Sequence, residues 1–335
     1  MGVSLSARTV LPSFRWLLCL SGLLLSSLPT ISQAQITLDG SLGPRGALHG
    51  PHYTIADSVG QIRGPNLFHS FGQFNLSQGE SVTFTGPNTI VNILSRVTGR
   101  SPSSIDGTIQ SQIPGAHLYL LNPSGVMFGP NANLDVSGSF HVSTADYLRL
   151  ADGARFSAHL SHTSVLSVAP PAAFGFLGPT PAAIAIQGSA LHVPEGETLA
   201  VIGGDIEITG HVSPTPFDHP TLAAPGGRIN LASVASAGEV GLDSSGQLPV
   251  LQVPTFERLG SLTVRDALLD VSGNGGGTVT IRGGRLLLDR AEVRANTQGN
   301  APGASTGVDI SVGQLTLTGG GRLSSATSGS GKGGR

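Results

Sequence analysis

A few clusters in this sequence have residue types and spacing that could carry chemistry. Gly303-Ala304-Ser305-Thr306-Gly307 fits the Gly-x-Ser-x-Gly pattern of a nucleophilic serine. That chemistry needs a strand before the serine and a helix after it, so that the hydroxyl sits on a sharp turn. Here Asn300-Ala301-Pro302 precedes and the strand-like Val308-Asp309-Ile310 follows, which reads as a glycine-rich turn. No histidine pair has zinc-binding spacing on a helix, although His159 and His162 are three residues apart. They lie in a serine-rich stretch with no acidic residue after Asp152, so they read as structural or solvated histidines. Gly331-Lys332 lacks the following Ser or Thr of a phosphate-binding loop. Gly273-Asn274-Gly275-Gly276-Gly277-Thr278 lacks the aspartate that a calcium-binding β-roll repeat places after its glycines. Asp266, Asp270, Asp289, Arg290 and Arg294 could line a polysaccharide-cleaving groove, but a charged row of turns in water is the simpler reading. The sequence thus points to no catalytic residue, no cofactor and no metal.

The elements that would have to position such groups begin with the N-terminus. Arg8 and Arg15 precede an apolar run at residues 16–28, and Pro29, Ser32 and Ala34 follow. That order of basic, apolar and small-x-small segments is a secretory signal peptide. It predicts cleavage between Ala34 and Gln35. The run is shorter than the roughly 20 residues that span a bilayer, so no integral membrane segment is expected in the mature chain. Cys19, the single cysteine, lies inside this run. The mature chain therefore has no disulfide, which suits a polypeptide that must cross a second membrane unfolded.

Composition narrows the function further. Charged residues are 11% of the chain, against about 25% in a typical protein. Removing Arg8 and Arg15 takes two of the 18 basic residues, leaving 20 acidic ones and a mature charge of about −4. No basic patch exists to neutralise phosphates, so nucleic acid is not an expected partner. Hydrophobicity is high and net charge low, the reverse of a disordered chain.

Along the chain, period-2 alternation dominates. Ser81-Val82-Thr83-Phe84-Thr85, His117-Leu118-Tyr119-Leu120-Leu121 and Asp205-Ile206-Glu207-Ile208-Thr209 each send alternate side chains toward a core. Residues 90–97 are the best candidate for a helix, and a short one. Repeats emerge toward the C-terminus. Val279-Thr280-Ile281 returns as Val308-Asp309-Ile310, and Leu286 and Leu288 return as Leu315 and Leu317. Gly226-Gly227-Arg228-Ile229 opens an earlier copy. A unit of 20–30 residues cannot bury its own apolar face, whereas a stack of units can, which is the signature of a solenoid. Gly331-Lys332-Gly333-Gly334-Arg335 resembles the opening of one more unit, so the chain is expected to be a fragment or a truncated product.

The segment at residues 64–140 carries the most distinctive motifs. It contains Gly64-Pro65-Asn66-Leu67-Phe68-His69-Ser70-Phe71, then Phe74-Asn75-Leu76 and Gly86-Pro87-Asn88-Thr89-Ile90. Ser103-Ser104-Ile105-Asp106-Gly107-Thr108-Ile109 and Asn122-Pro123-Ser124-Gly125-Val126-Met127-Phe128-Gly129 follow. Together these resemble the two-partner secretion domain, the haemagglutination-activity domain of filamentous haemagglutinin-like exoproteins. The likeness covers residues 35–172. The family's Asn-Pro-Asn-Gly matches Asn122-Pro123-Ser124-Gly125 with one departure. Its Asn-Pro-Asn-Leu falls on Gly86-Pro87-Asn88-Thr89 with two. Read physically, Asn-Pro-Ser-Gly suits a type I turn: Asn accepts from the backbone, Pro presets φ and Gly fits the last position. Phe68, Phe71 and Phe74 read as packing residues.

The resemblance implies a right-handed parallel β-helix, all-β, with extra-helical strands capping the N-terminal coils. It implies a signal peptide at residues 1–34, a secretion domain at 35–172 and a β-helical repeat region at 173–335. The implied partner is an outer-membrane β-barrel transporter with periplasmic POTRA domains, with Asn122, Pro123, Ser124, Gly125, Pro87 and Asn88 as the recognition residues. The destination is the surface or surroundings of a Gram-negative-type bacterium, reached through the periplasm. There an adhesin-like role would make host-cell or matrix glycans further candidate partners. The competing expectation is an extracellular β-helical protein that binds or degrades polysaccharide.

Overall fold

The computed structural model describes residues 1–4, 36–211, 221–242, 249–250, 256–304 and 306–332. The chain divides into two units, Met1–Gln33 and Ala34–Arg335. The second is built almost wholly of strands, which wind as a right-handed parallel β-helix, the architecture the sequence leads one to expect. Short strands rich in Val, Ile, Leu and Thr alternate with glycine turns, and each strand pairs with its counterpart one coil away.

Three faces make up each coil. Asn66–Phe74, Asn92–Val97, His117–Leu121, Phe140–Ser143, Thr198–Gly203 and Arg228–Ser233 stack in parallel on the first. Ser103–Ile105, Val126–Phe128, Ile184–Gln187, Ile206–Thr209 and Ser261–Arg265 stack on the second. The long strands Thr278–Asp289 and Val308–Thr318 run through both faces and join them into one sheet. The third face starts with His52–Ala56, Ser81–Thr85, Thr108–Ser111 and Asn133–Asp135. It resumes as Leu191–His192, Leu222–Ala223, Leu268–Asp270, Glu292–Arg294 and Arg322–Ser324.

Register explains the stability of the stack. On the first face Leu67, Ile93, Leu118, Phe140, Leu199, Ile229, Val279 and Val308 follow one another in a single inward row. All but Val308 are fully buried, and each such side chain is worth about 1.5–3 kcal/mol on transfer from water. Glycine at the coil corners allows the close approach. A Cβ on Gly227 would lie 2.0 Å from the Glu197 carbonyl oxygen, and one on Gly277 would lie 2.1 Å from that of Gly227. This is the physical content of the glycine-led repeats in the sequence.

The extra-helical strands form two additions. Ile36–Asp39 pairs antiparallel with Asn66–Phe74 and with Arg45–Ala47, and Gln61–Arg63 pairs with the start of Asn66–Phe74. Together they close the edge of the first face. Farther along, Tyr147–Leu150, Arg155–Ser157, Pro171–Phe176, Gly238–Leu242 and Pro249–Val250 make an antiparallel sheet outside the helix. This sheet covers the outward row of the first face, so a second core forms there around Phe68, Leu94, Tyr119, Phe156 and Phe174.

One expectation is overturned. The helix anticipated at residues 90–97 is the strand Asn92–Val97, with all six residues buried. Ile93 and Val97 point into the solenoid, while Leu94 and Arg96 point under the outer sheet. Burial on both faces erases the alternation by which a strand is recognised.

Candidate recognition site

The Asn122-Pro123-Ser124-Gly125 motif is a tight turn at the corner between the first and second faces. The Gly125 N–H donates to the Asn122 carbonyl at 3.0 Å, and the Ser124 N–H donates to Asn122 Oδ1 at 3.0 Å. Gly125 has φ +114°, a backbone conformation that glycine reaches without strain. Asn122 itself is 0% exposed. Its Nδ2 donates to the Ser101 carbonyl and to Ser103 Oγ, both at 3.0 Å, in the preceding coil. Its backbone N–H donates to the Ser143 carbonyl in the following coil at 2.9 Å. One asparagine therefore fastens three successive coils, and in the folded chain its amide is out of reach of a partner. Residue 124 enters these contacts only through its backbone N–H, which accounts for Ser in place of Asn.

Gly86-Pro87-Asn88-Thr89 lies at a different corner, between the third and first faces. The turn hydrogen bond runs from the Ile90 N–H to the Pro87 carbonyl at 3.1 Å. Pro87, Asn88 and Thr89 are exposed. The two motifs thus sit at separate corners, one sealed and one open. Ala34 and Gln35, the expected signal-cleavage pair, lie outside the described residues.

Sequence reasoning missed a buried charge. Arg96 is 3% exposed and lies between the N-terminal cap and the outer sheet. Its Nε donates to Ser70 Oγ at 2.8 Å, and its terminal nitrogens donate to Ser164 Oγ, Ser41 Oγ and the Ser157 carbonyl. Its guanidinium stacks 4.5 Å from the Phe156 ring centroid. Burial lowers its pKa to about 10, opposed by the charge of Asp39, so it remains a cation at neutral pH. Burial pushes Asp39 up, but hydrogen bonds from Ser70, Ser41 and Thr98 outweigh it and hold the carboxyl below its ordinary value. The only sequence signal was a lone arginine in an apolar strand.

The other chemical candidates fall into place as structure. Asp266 holds Arg290 at 2.6 Å, Asp289 lies 3.5 Å from Arg290, and Asp270 lies 3.5 Å from Arg294. Glu292, 2% exposed and unremarked in the sequence, is gripped by Arg294 and Arg322. Its carboxyl is pushed up by burial, yet these arginine hydrogen bonds leave it lowered. Each carboxylate of the suspected groove is thus matched to an arginine. His159, expected to lack an acidic neighbour, has one: its Nε2 lies 2.5 Å from Asp146 Oδ1, a residue earlier in the chain than the serine-rich stretch. The His162 ring is 5.8 Å from that of His159. Among the described residues no group of three or more His, Cys, Asp or Glu side chains is placed to hold a metal ion. Ser305 lies outside the described residues, and the strand Val308–Thr318 follows it closely. Phe68, Phe71 and Phe74 are core residues, as their spacing indicates.

A family model described as the TPS secretion domain matches residues 34–281, most of the chain. The chain belongs to that family. It is thus a two-partner secretion substrate, destined for the cell exterior. The HMW1 secretion domain from Haemophilus influenzae is similar in structure, with 16% identity and a TM-score of 0.43, over 86% of this chain and 71% of that one. The filamentous hemagglutinin secretion domain has 17% identity and a TM-score of 0.40, over 88% of this chain and 97% of that one. No curated protein matches the chain. No helix among the described residues is long and apolar enough to cross a membrane.

Proposed function

We propose that this TPS-family chain is read by a dedicated outer-membrane β-barrel transporter through its N-terminal coils, before those coils close, and acts outside the cell as an adhesin-like surface protein. The reading rests on the family match across residues 34–281. Residues 35–172 carry the recognition and residues 173–335 extend the β-helix. The route runs through the periplasm of a Gram-negative-type bacterium, where POTRA domains of the transporter meet the unfolded chain. Asn122, sealed in the folded turn, is available to a partner only at that stage. Pro87 and Asn88, being exposed, are available both before and after folding. Glycans of host cells or matrix are the surface partners such a role calls for.

The test is secretion of the chain with and without a co-expressed partner barrel. Appearance in the medium only with the barrel, lost in Asn122→Ala and reduced in Asn88→Ala, is the expected result. Release without any barrel, or periplasmic retention despite it, would sink the proposal. Binding of the secreted product to immobilised glycans tests the adhesive part separately.

A further inference from the structure

Two histidines are sealed inside this fold with no hydrogen-bonding partner among the described residues on either ring nitrogen, His69 at 0% exposure and His141 at 1%. They lie on opposite sides of the first face. His69 points into the solenoid, where its ring centroid is 5.6 Å from that of Phe84 and 6.2 Å from that of Phe71. Its register partner across the strand pair is Ser95, whose hydroxyl is also buried without a partner. Gly60 presses on its edge, since a Cβ there would come within 2.7 Å of Nδ1. No charged group contributes to its environment, neither Arg96 on the far side of its neighbour strand, nor Asp39 on the capping strand, nor Arg63 at the exposed edge. His141 points outward beneath the antiparallel sheet. It stacks on Tyr119 at 4.3 Å with rings nearly parallel, and its register partner on the other side is Ala200. Phe174 of the outer sheet lies over Tyr119. Among the described residues the titratable group that acts on it is His117, which would add positive charge. His117 Nδ1 accepts the Ser139 N–H and lies 3.6 Å from Glu197, whose carboxylate is bound by Ser139 Oγ.

Imidazole in such surroundings can only be neutral, because a proton would create a charge with neither water nor acceptor to receive it. We propose that His69 and His141 make the closure of this β-helix an acid-sensitive step, so that mildly acidic surroundings hold the chain unfolded and a neutral medium lets it fold. The device concerns the chain's own folding equilibrium, and it stands whether or not a transporter reads the turns. Burial lowers both groups to about 3 in the folded chain, whereas the unfolded chain offers ordinary histidines near 6.5. The unfolded state therefore binds more protons, and stability is complete above about pH 6.5 and falls as pH drops toward 3. At pH 5 each histidine costs roughly a 30-fold shift in the folding equilibrium, and the pair about 1,000-fold. The carboxylates held low by their partners, Asp39, Asp152, Asp266 and Glu292, act in the same direction, but only as pH falls through the ordinary carboxylate range and below, whereas His117, lowered by burial against the opposing charge of Glu197, adds to the loss that begins near pH 6.5.

Urea unfolding of the full chain at pH 7.5 and pH 5 reads this directly. The expected result is a loss of stability of at least about 1,000-fold in the equilibrium constant at pH 5, made smaller by about 30-fold in His69→Leu or His141→Phe and by about 1,000-fold in the double variant, with the remainder left to His117. A double variant with the wild-type pH dependence would overturn the proposal. Should the double variant fail to fold, ring resonances of the two histidines in the folded wild-type chain decide, assigned through the single variants. Shifts constant from pH 8 to 5 support the device, and midpoints near 6.5 overturn it.

Discussion

Asn122 shows how much a single side chain can do in a stacked fold. Its fully buried amide satisfies one backbone donor in its own turn and two acceptors in the coil before. Asn122→Ala would leave the buried Ser103 hydroxyl and two half-buried backbone groups without this partner, at a cost of about 1–3 kcal/mol. Ser124→Asn, which restores the family residue at a position that uses only its backbone, is expected to change stability by less than about 0.5 kcal/mol. Chemical denaturation of the two variants checks both figures. The turn was legible in the sequence because its chemistry is local: Asn, Pro and Gly each act within four residues. Arg96 was not legible, because Ser70, Ser41 and Ser164 reach it from 26, 55 and 68 residues away. The Asp146–His159 pair escaped for a related reason, since a two-stranded antiparallel hairpin separates the two residues.

At the level of elements, strands with one wet face announced themselves and strands with two dry faces did not. Ser81–Thr85 and Ile206–Thr209 alternate in burial as they alternate in sequence. Asn92–Val97 has a core on either side and reads as an apolar block. The repeat was visible only where coils follow without interruption, as from Val279 to Val308. Between Phe140–Ser143 and Thr198–Gly203 the chain leaves the helix to build the outer sheet, and the period is lost to the eye. The corner glycines offer a direct test. Gly277→Ala drives a methyl against the Gly227 carbonyl and is expected to cost about 2–3 kcal/mol. Gly79→Ala meets open space at φ +81° and is expected to cost about 1 kcal/mol from backbone strain alone. Thermal unfolding of the two variants separates crowding between coils from strain within a turn.

For the molecule as a whole, each coil offers the next a row of backbone donors and acceptors, so stability is mostly a matter of neighbours. The strand Pro171–Phe176 straddles residue 172, so no break between strands falls at that position. If the coils close in the order in which they leave the cell, an obstacle near the start matters most. Proline at Val126, on the second face of an early coil, is expected to reduce secretion more than proline at Val279, although both remove a buried strand residue. Pulse-labelled appearance of the two variants in the medium is the measurement, and equal rates would argue against an early nucleus.

The outer sheet sets a schedule of its own. Its strand Pro171–Phe176 finds its partner Gly238–Leu242 only after a further 60 or so residues have become available. A chain emerging N-terminus first would thus stack its early coils while their outward row, Tyr119 and His141 included, was still only partly roofed. The roof is completed when Pro249–Val250 has paired with Gly238–Leu242, two coils later. The early coils would pass through a provisional period in which they can still open, and the arrival of the later strand would act as a latch that ends it.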